Sequence, residues 1–189
     1  MRRVFGVRSA LAVMALAGLG LMGAAAYAQA EKEQKAVTLK SILLEQLRST
    51  HTKKEWFVDA KTAVEGLTPE QASWKDGKGN HSAGQLAYHL VFWNRRELAK
   101  FKGEPEAKFS GNNEETFESF DAKTWSATVR QLDEVMTELE KVVKNADEKQ
   151  LKAWASEIAH IGTHNAYHLG QIVYIRRLQG VWDAEKGVK

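Results

Sequence analysis

His160-Ile161-Gly162-Thr163-His164-Asn165-Ala166-Tyr167-His168-Leu169-Gly170-Gln171-Ile172 carries three of the chain's six histidines, each four residues after the last. The stretch reads as helix, and side chains at i and i+4 lie on one face, a turn apart. At about 100° per residue, His164 and His168 fall within roughly 40° of a stripe made by Trp154, Ile161, Ile172 and Ile175. They point inward, whereas His160 lies roughly 80° from His168, at the edge of that face. Two inward imidazoles need coordination or hydrogen bonding to be buried. The pattern fits a metal-binding pair. It fits hydrogen-bonded core histidines equally well.

Outward from this stretch, the helix starts after Asp147 and runs to about Gln179, with Arg176-Arg177 in its last turn and Gly180 just beyond. Gly162 and Gly170 flank the pair, and each weakens a helix by about 1 kcal/mol relative to Ala. A close approach of backbone or ligand is expected there. The preceding helix, Asp121 to Asn145, has the clearest period, with Trp125, Val129, Leu132, Met136, Leu139 and Val143 on one side. Residues 103–120 form a long acidic loop with three phenylalanines, either a lid or a seal over the end of the domain.

Upstream, Ser82 with Gln85 three residues on forms a capping box that opens a helix to about Lys102. Its inward stripe is Leu86, His89, Leu90, Trp93 and Phe101, so a third histidine faces the core from a different helix. Leu39, Leu43, Leu47, Phe57, Val58 and Val64 predict one helix from Val37 to Leu67, with His51 on its apolar side. Residues 67–80, with Trp74 and Asp76-Gly77-Lys78-Gly79-Asn80, read as a loop. No strand pattern appears, and the fold class is all-α, a four-helix bundle. Such bundles build metal sites from facing helices, and three protein ligands leave positions open for water or substrate.

The first residues read differently. Arg2, Arg3 and Arg8 precede an uncharged run from Ser9 to Gln29 that ends in Ala28-Gln29-Ala30. This predicts a signal peptide over residues 1–30, of the general secretory type in preference to the twin-arginine type. An uncleaved membrane anchor is the competing reading, although the run is barely long enough to span a bilayer. The expected domains are then a polar lead-in at 31–37, the bundle at 38–180 and a polar tail at 181–189. The expected location is periplasmic or secreted, with no stable membrane insertion after cleavage. Three of the 27 Lys+Arg lie in the signal, leaving 24 against 24 Asp+Glu. A neutral domain has no electrostatic footprint for nucleic acid. With no cysteine in the chain, disulfides, thiolate catalysis and thiolate metal sites are excluded.

Leu67-Thr68-Pro69-Glu70-Gln71 leading to Trp74, His81-Ser82-Ala83-Gly84-Gln85-Leu86-Ala87-Tyr88-His89-Leu90, and His164-x-x-Tyr167-His168-x-Gly170-Gln171-Ile172 followed by Arg176-Arg177-Leu178 together resemble the DinB-like (YfiT-like) superfamily of metalloproteins. The resemblance covers about residues 38–180. It implies a four-helix bundle, often a homodimer, with a three-histidine site for a divalent ion, Zn or Ni first and Mn or Fe next. Carried over by position, the ligands are His89, His164 and His168, whereas His51 and His160 match no ligand position. Some branches of the family resemble thiol-dependent transferases and isomerases, others hydrolases. An export signal departs from the cytosolic setting of those thiols.

The leading expectation is therefore an exported metal-dependent hydrolase or transferase acting on a small molecule. Asn165 stands where His-Glu-x-x-His would place a general base. Glu97, two turns beyond His89, and Glu157, on the face of His164, are the candidate bases, each equally readable as a solvated or salt-bridged carboxylate. Gln171, like Tyr167, is a candidate for orienting a ligand or water. The alternative is a non-catalytic bundle that binds a small ligand or partner in the cell envelope, with six tryptophans to supply apolar surface.

Overall fold

The computed structural model of the protein describes residues 37–188. The expected signal peptide and residues 31–36 of the lead-in lie outside them. All regular structure among the described residues is helical. The α-helices are α1 (Leu39–His51), α2 (Ala60–Val64), α3 (Pro69–Ser73), α4 (Ala83–Lys102), α5 (Glu115–Glu118), α6 (Trp125–Asn145) and α7 (Glu148–Leu178). None is long and apolar enough to cross a membrane.

The four long helices are α1, α4, α6 and α7, and both α1 and α4 pack against α6 and α7. Side-chain caps set where three of them start. Ser82 accepts from the Gln85 amide and Gln85 returns a bond to the Ser82 amide, the reciprocal box expected for α4. Asp147 and Gln150 do the same for α7, and Thr38 and Ser41 for α1. Gly103 (φ 67°) and Gly180 (φ 74°) take left-handed conformations just beyond α4 and α7, where a Cβ would be strained. Asp121 caps a single 3-10 turn, Ala122–Thr124, that leads into α6. Leu132, Met136, Leu139 and Val143 of the α6 stripe are buried, and the Trp125 indole N–H donates to the Leu67 carbonyl at 2.8 Å.

The single helix expected from Val37 to Leu67 is broken. α1 stops at His51, and Asp59 starts α2 by accepting from the Thr62 amide and hydroxyl. The apolar spacing continues across the break because Val58 also packs on the core, from a non-helical segment. Trp56 points away, 91% exposed. The stretch after Leu67 is not all loop either, because Thr68 and Gln71 form a further capping box around α3. The tail expected to be polar begins with Val181 and Trp182, which pack against the core. Buried Arg176 lies over the Trp182 ring and donates to the carbonyls of Thr62 and Ala63, at the end of α2. That places a cation where a helix leaves carbonyls unpaired.

The two glycines of α7 differ. A Cβ on Gly162 would press on the Gln46 side chain of α1, whereas one on Gly170 would meet nothing. The close approach expected at both holds only at Gly162. Gly84 of α4 is the tighter position, because a Cβ there would overlap the Phe120 ring. Gly84→Ala is expected to lower stability by about 1–2 kcal/mol, overpacking outweighing the helix-propensity gain. Chemical denaturation of Gly84→Ala, Phe120→Ala and the double variant checks this. The two losses should be clearly less than additive.

Candidate metal centre

α4 and α7 lie side by side, and their shared face brings together histidines far apart in sequence. His89 comes from the middle of α4, and His164 and His168 from successive turns of α7. One ring nitrogen from each lies within 4.8 Å of the others. The ring centroids are 4.6 Å apart for His89–His168 and His164–His168, and 5.1 Å for His89–His164. A buried amide pair, Asn94 donating to Asn165 at 3.0 Å, locks the two helices in register beside them.

Hydrogen bonds fix the protonation of two rings. The Thr116 hydroxyl gives its one hydrogen to the Asn113 carbonyl (2.6 Å), so toward His89 Nδ1 (2.5 Å) it can only accept. His89 therefore carries its proton on Nδ1 and leaves the Nε2 lone pair free. The Gln171 amide oxygen accepts from His168 Nδ1 at 2.6 Å, with the same result. His89 Nε2 and His164 Nε2 are 3.1 Å apart, close to the spacing of two nitrogens each about 2.0–2.1 Å from one zinc ion.

Burial holds all three rings neutral. His89 is pushed down to about 3, by burial first and then by the neighbouring imidazoles of His168, His164 and His81. His168 is pushed down to about 4, by burial and then His164, against an opposing bond from Gln171. Burial lowers His164 as well. Neutral imidazoles with converging lone pairs are the form that ligates a metal, so the donor set fits a divalent ion. The rings open into a cavity of about 760 Å³ between α4 and α7.

A family model described as the DinB superfamily matches residues 51–172, a span that contains all three histidines. The chain belongs to the DinB superfamily. The match is narrower than the 38–180 expected from motifs. Neither a curated protein nor a solved structure matches the chain.

In this DinB superfamily protein the remaining candidates separate. Glu97 and Glu157 both line the cavity, outward of the trio. One Glu97 oxygen takes the Lys100 ammonium at 2.7 Å, and the other is buried without a protein partner. Gln171 accepts from His168 Nδ1–H, and a carboxamide is neither an acid nor a base near neutral pH, so the contact can only hold the ring in place. His160 is exposed and edges the outer cavity. His51 is elsewhere, lining a different cavity, with Nδ1 on Glu140 (2.7 Å) and Nε2 on Asp133 (3.0 Å).

Two further contributors come from a connecting segment. Thr116 and Phe117 sit on α5, inside the stretch read as a loop, and Phe117 stacks on His89 at 4.0 Å with the rings 4° from parallel. The segment therefore seals the site and also supplies the group that orients a histidine. The three phenylalanines of 103–120 are the trace of this in the sequence. Thr116→Val removes the acceptor for His89 Nδ1–H and is expected to weaken zinc binding about 10–100-fold, as loss of an outer-shell partner does. Gln171→Leu should do the same through His168. Zinc titration against a competing chelator measures both.

Proposed function

We propose that this DinB superfamily member is an exported, metal-dependent hydrolase or transferase built on a four-helix bundle. His89, His164 and His168 would hold the ion, zinc or nickel ahead of manganese or iron. The observation that carries the reading is the pair of pinned Nδ1–H groups, which turn two buried Nε2 lone pairs toward a third at the foot of a cavity. When bound, a divalent ion supplies Lewis acidity toward an oxygen of substrate or water. Three neutral ligands leave its charge uncompensated, which suits a substrate oxygen that gains negative charge during reaction.

The chain's own residues do the rest. Thr116 and Gln171 hold the imidazoles in one tautomer and orientation. Phe117 excludes water from the inner face of His89, and Trp93 and Tyr167 form the walls against which a small organic molecule would lie. The location we propose is the periplasm or exterior, on the strength of the signal-like residues 1–30, and the assembly a homodimer, on the strength of the family resemblance.

Elemental analysis of the tag-free protein is the test. About one divalent ion per chain is expected, together with turnover of an ester, amide or lactone panel that His164→Ala lacks. Metal without turnover would favour a non-catalytic ligand-binding module. A wild type that takes up no metal on titration would overturn the reading.

A further inference from the structure

Hydrolysis at the trio needs a proton acceptor, and the two carboxylates expected from the sequence both lie about two turns from the histidines along their helices. Glu97 lies eight residues beyond His89 on one helix, about 12 Å along the axis, with one oxygen on Lys100 and the other buried without a protein partner. Glu157 lies seven residues before His164, about 10 Å along, and is exposed. His160 is exposed one turn outward from His164.

His81 is placed differently. It immediately precedes the Ser82 cap of α4, and its ring lies flat on Phe117, centroids 3.8 Å apart and planes 5° from parallel. Phe117 lies in the same way on His89. The three rings form one column, with Phe117 between His81 and His89. Its Nε2 faces a Glu114 carboxylate oxygen at 3.7 Å, and its side chain is 30% exposed. His81 lines the metal cavity and also a second cavity of about 360 Å³. It thus stands in the wall between the two, with Gln171 beside it.

We propose that His81 is the proton-transferring residue of this centre, oriented by Phe117 and Glu114. This rests on the metal-dependent reading above. For ester hydrolysis the balance is simple. His81 takes a proton from water as the water oxygen bonds to the carbonyl carbon. It returns that proton to the alkoxide as the carbon–alkoxide bond breaks and the electron pair leaves with oxygen. The second cavity gives His81 a second route by which to exchange protons with solvent. The charged and titratable groups around it include Glu114 on the segment leading to α5, His89 on α4 beyond Phe117, His168 on α7, and Lys75, Asp76 and Tyr174, which line the second cavity with it.

The experiment uses the zinc-loaded full chain with 4-nitrophenyl acetate as probe. His81→Gln should keep its zinc and its KM, lose about 100-fold in kcat, and lose one limb of the pH–rate profile. Added imidazole should restore at least about tenfold of the rate to His81→Ala, as a group that merely packs would not allow. A His81→Gln rate within about twofold of wild type with the same pH profile overturns the proposal. Zinc uptake without ester turnover in the wild type also overturns it, and leaves the metal site standing. No zinc uptake removes both.

Discussion

His89→Gln is expected to abolish metal-dependent stabilisation of the protein. A ligand at a hundred times its Kd stabilises the state that binds it by about 2.7 kcal/mol, which at this chain length raises Tm by roughly 5–11 °C. Zinc should produce a rise of that size in the wild type and less than about 1 °C in the variant. The reason is geometric. His89 is the one member of the trio contributed by α4, and its Nε2 completes the set that α7 alone leaves at two. Gln is chosen because it keeps a polar group near Thr116, where Ala would leave a hole under Phe117. Calorimetric or fluorescence melts with and without zinc decide it. An equal rise in both proteins would remove His89 from the centre.

Metal-free protein should lose stability on acidification below about pH 6.5, by up to about 1.4 kcal/mol per pH unit for each buried histidine. In the unfolded chain His89 and His168 take up protons near 6.5, whereas in the folded protein they stay neutral down to about 3 and about 4. Between those limits the unfolded state binds more protons, so stability falls as pH falls and levels off only below the folded values. His168→Gln removes one of these sites. Between pH 7.5 and 5.0, in chelator, wild-type Tm should drop roughly 4–8 °C more than that of the variant. Parallel curves would mean that His168 is not held neutral by its surroundings.

Much of the frame was legible along the chain. The Ser82–Gln85 box, the Asp147 cap and the glycine after Leu178 are local signals, each made within a few residues, and α4 and α7 lie where those signals put them. The first helix was misread for the complementary reason. Asp59 and Thr62 also form a local start signal, but Val58 and Val64 on either side of it kept the apolar period unbroken. Periodicity records which residues are buried and does not record whether the backbone between them is helical.

The histidines divide the same way. Four-residue spacing determined by itself that His164 and His168 share a helix face, and the stripe containing Leu86 and Leu90 determined that His89 points inward. A single helix period suffices for such statements. Only the packing of α4 against α7 decided that those faces meet, and that His51, equally well placed on an apolar face, meets Asp133 and Glu140 instead. Thr116, Phe117 and His81 lie outside any long helix, so their positions follow from how a connecting segment folds back over the core. The amino-acid sequence chose the ligand types and their faces, because those are properties of one helix at a time. Which nitrogen carries each proton, and what stands next to it, depends on contacts between segments distant in sequence, and those exist only in the folded protein.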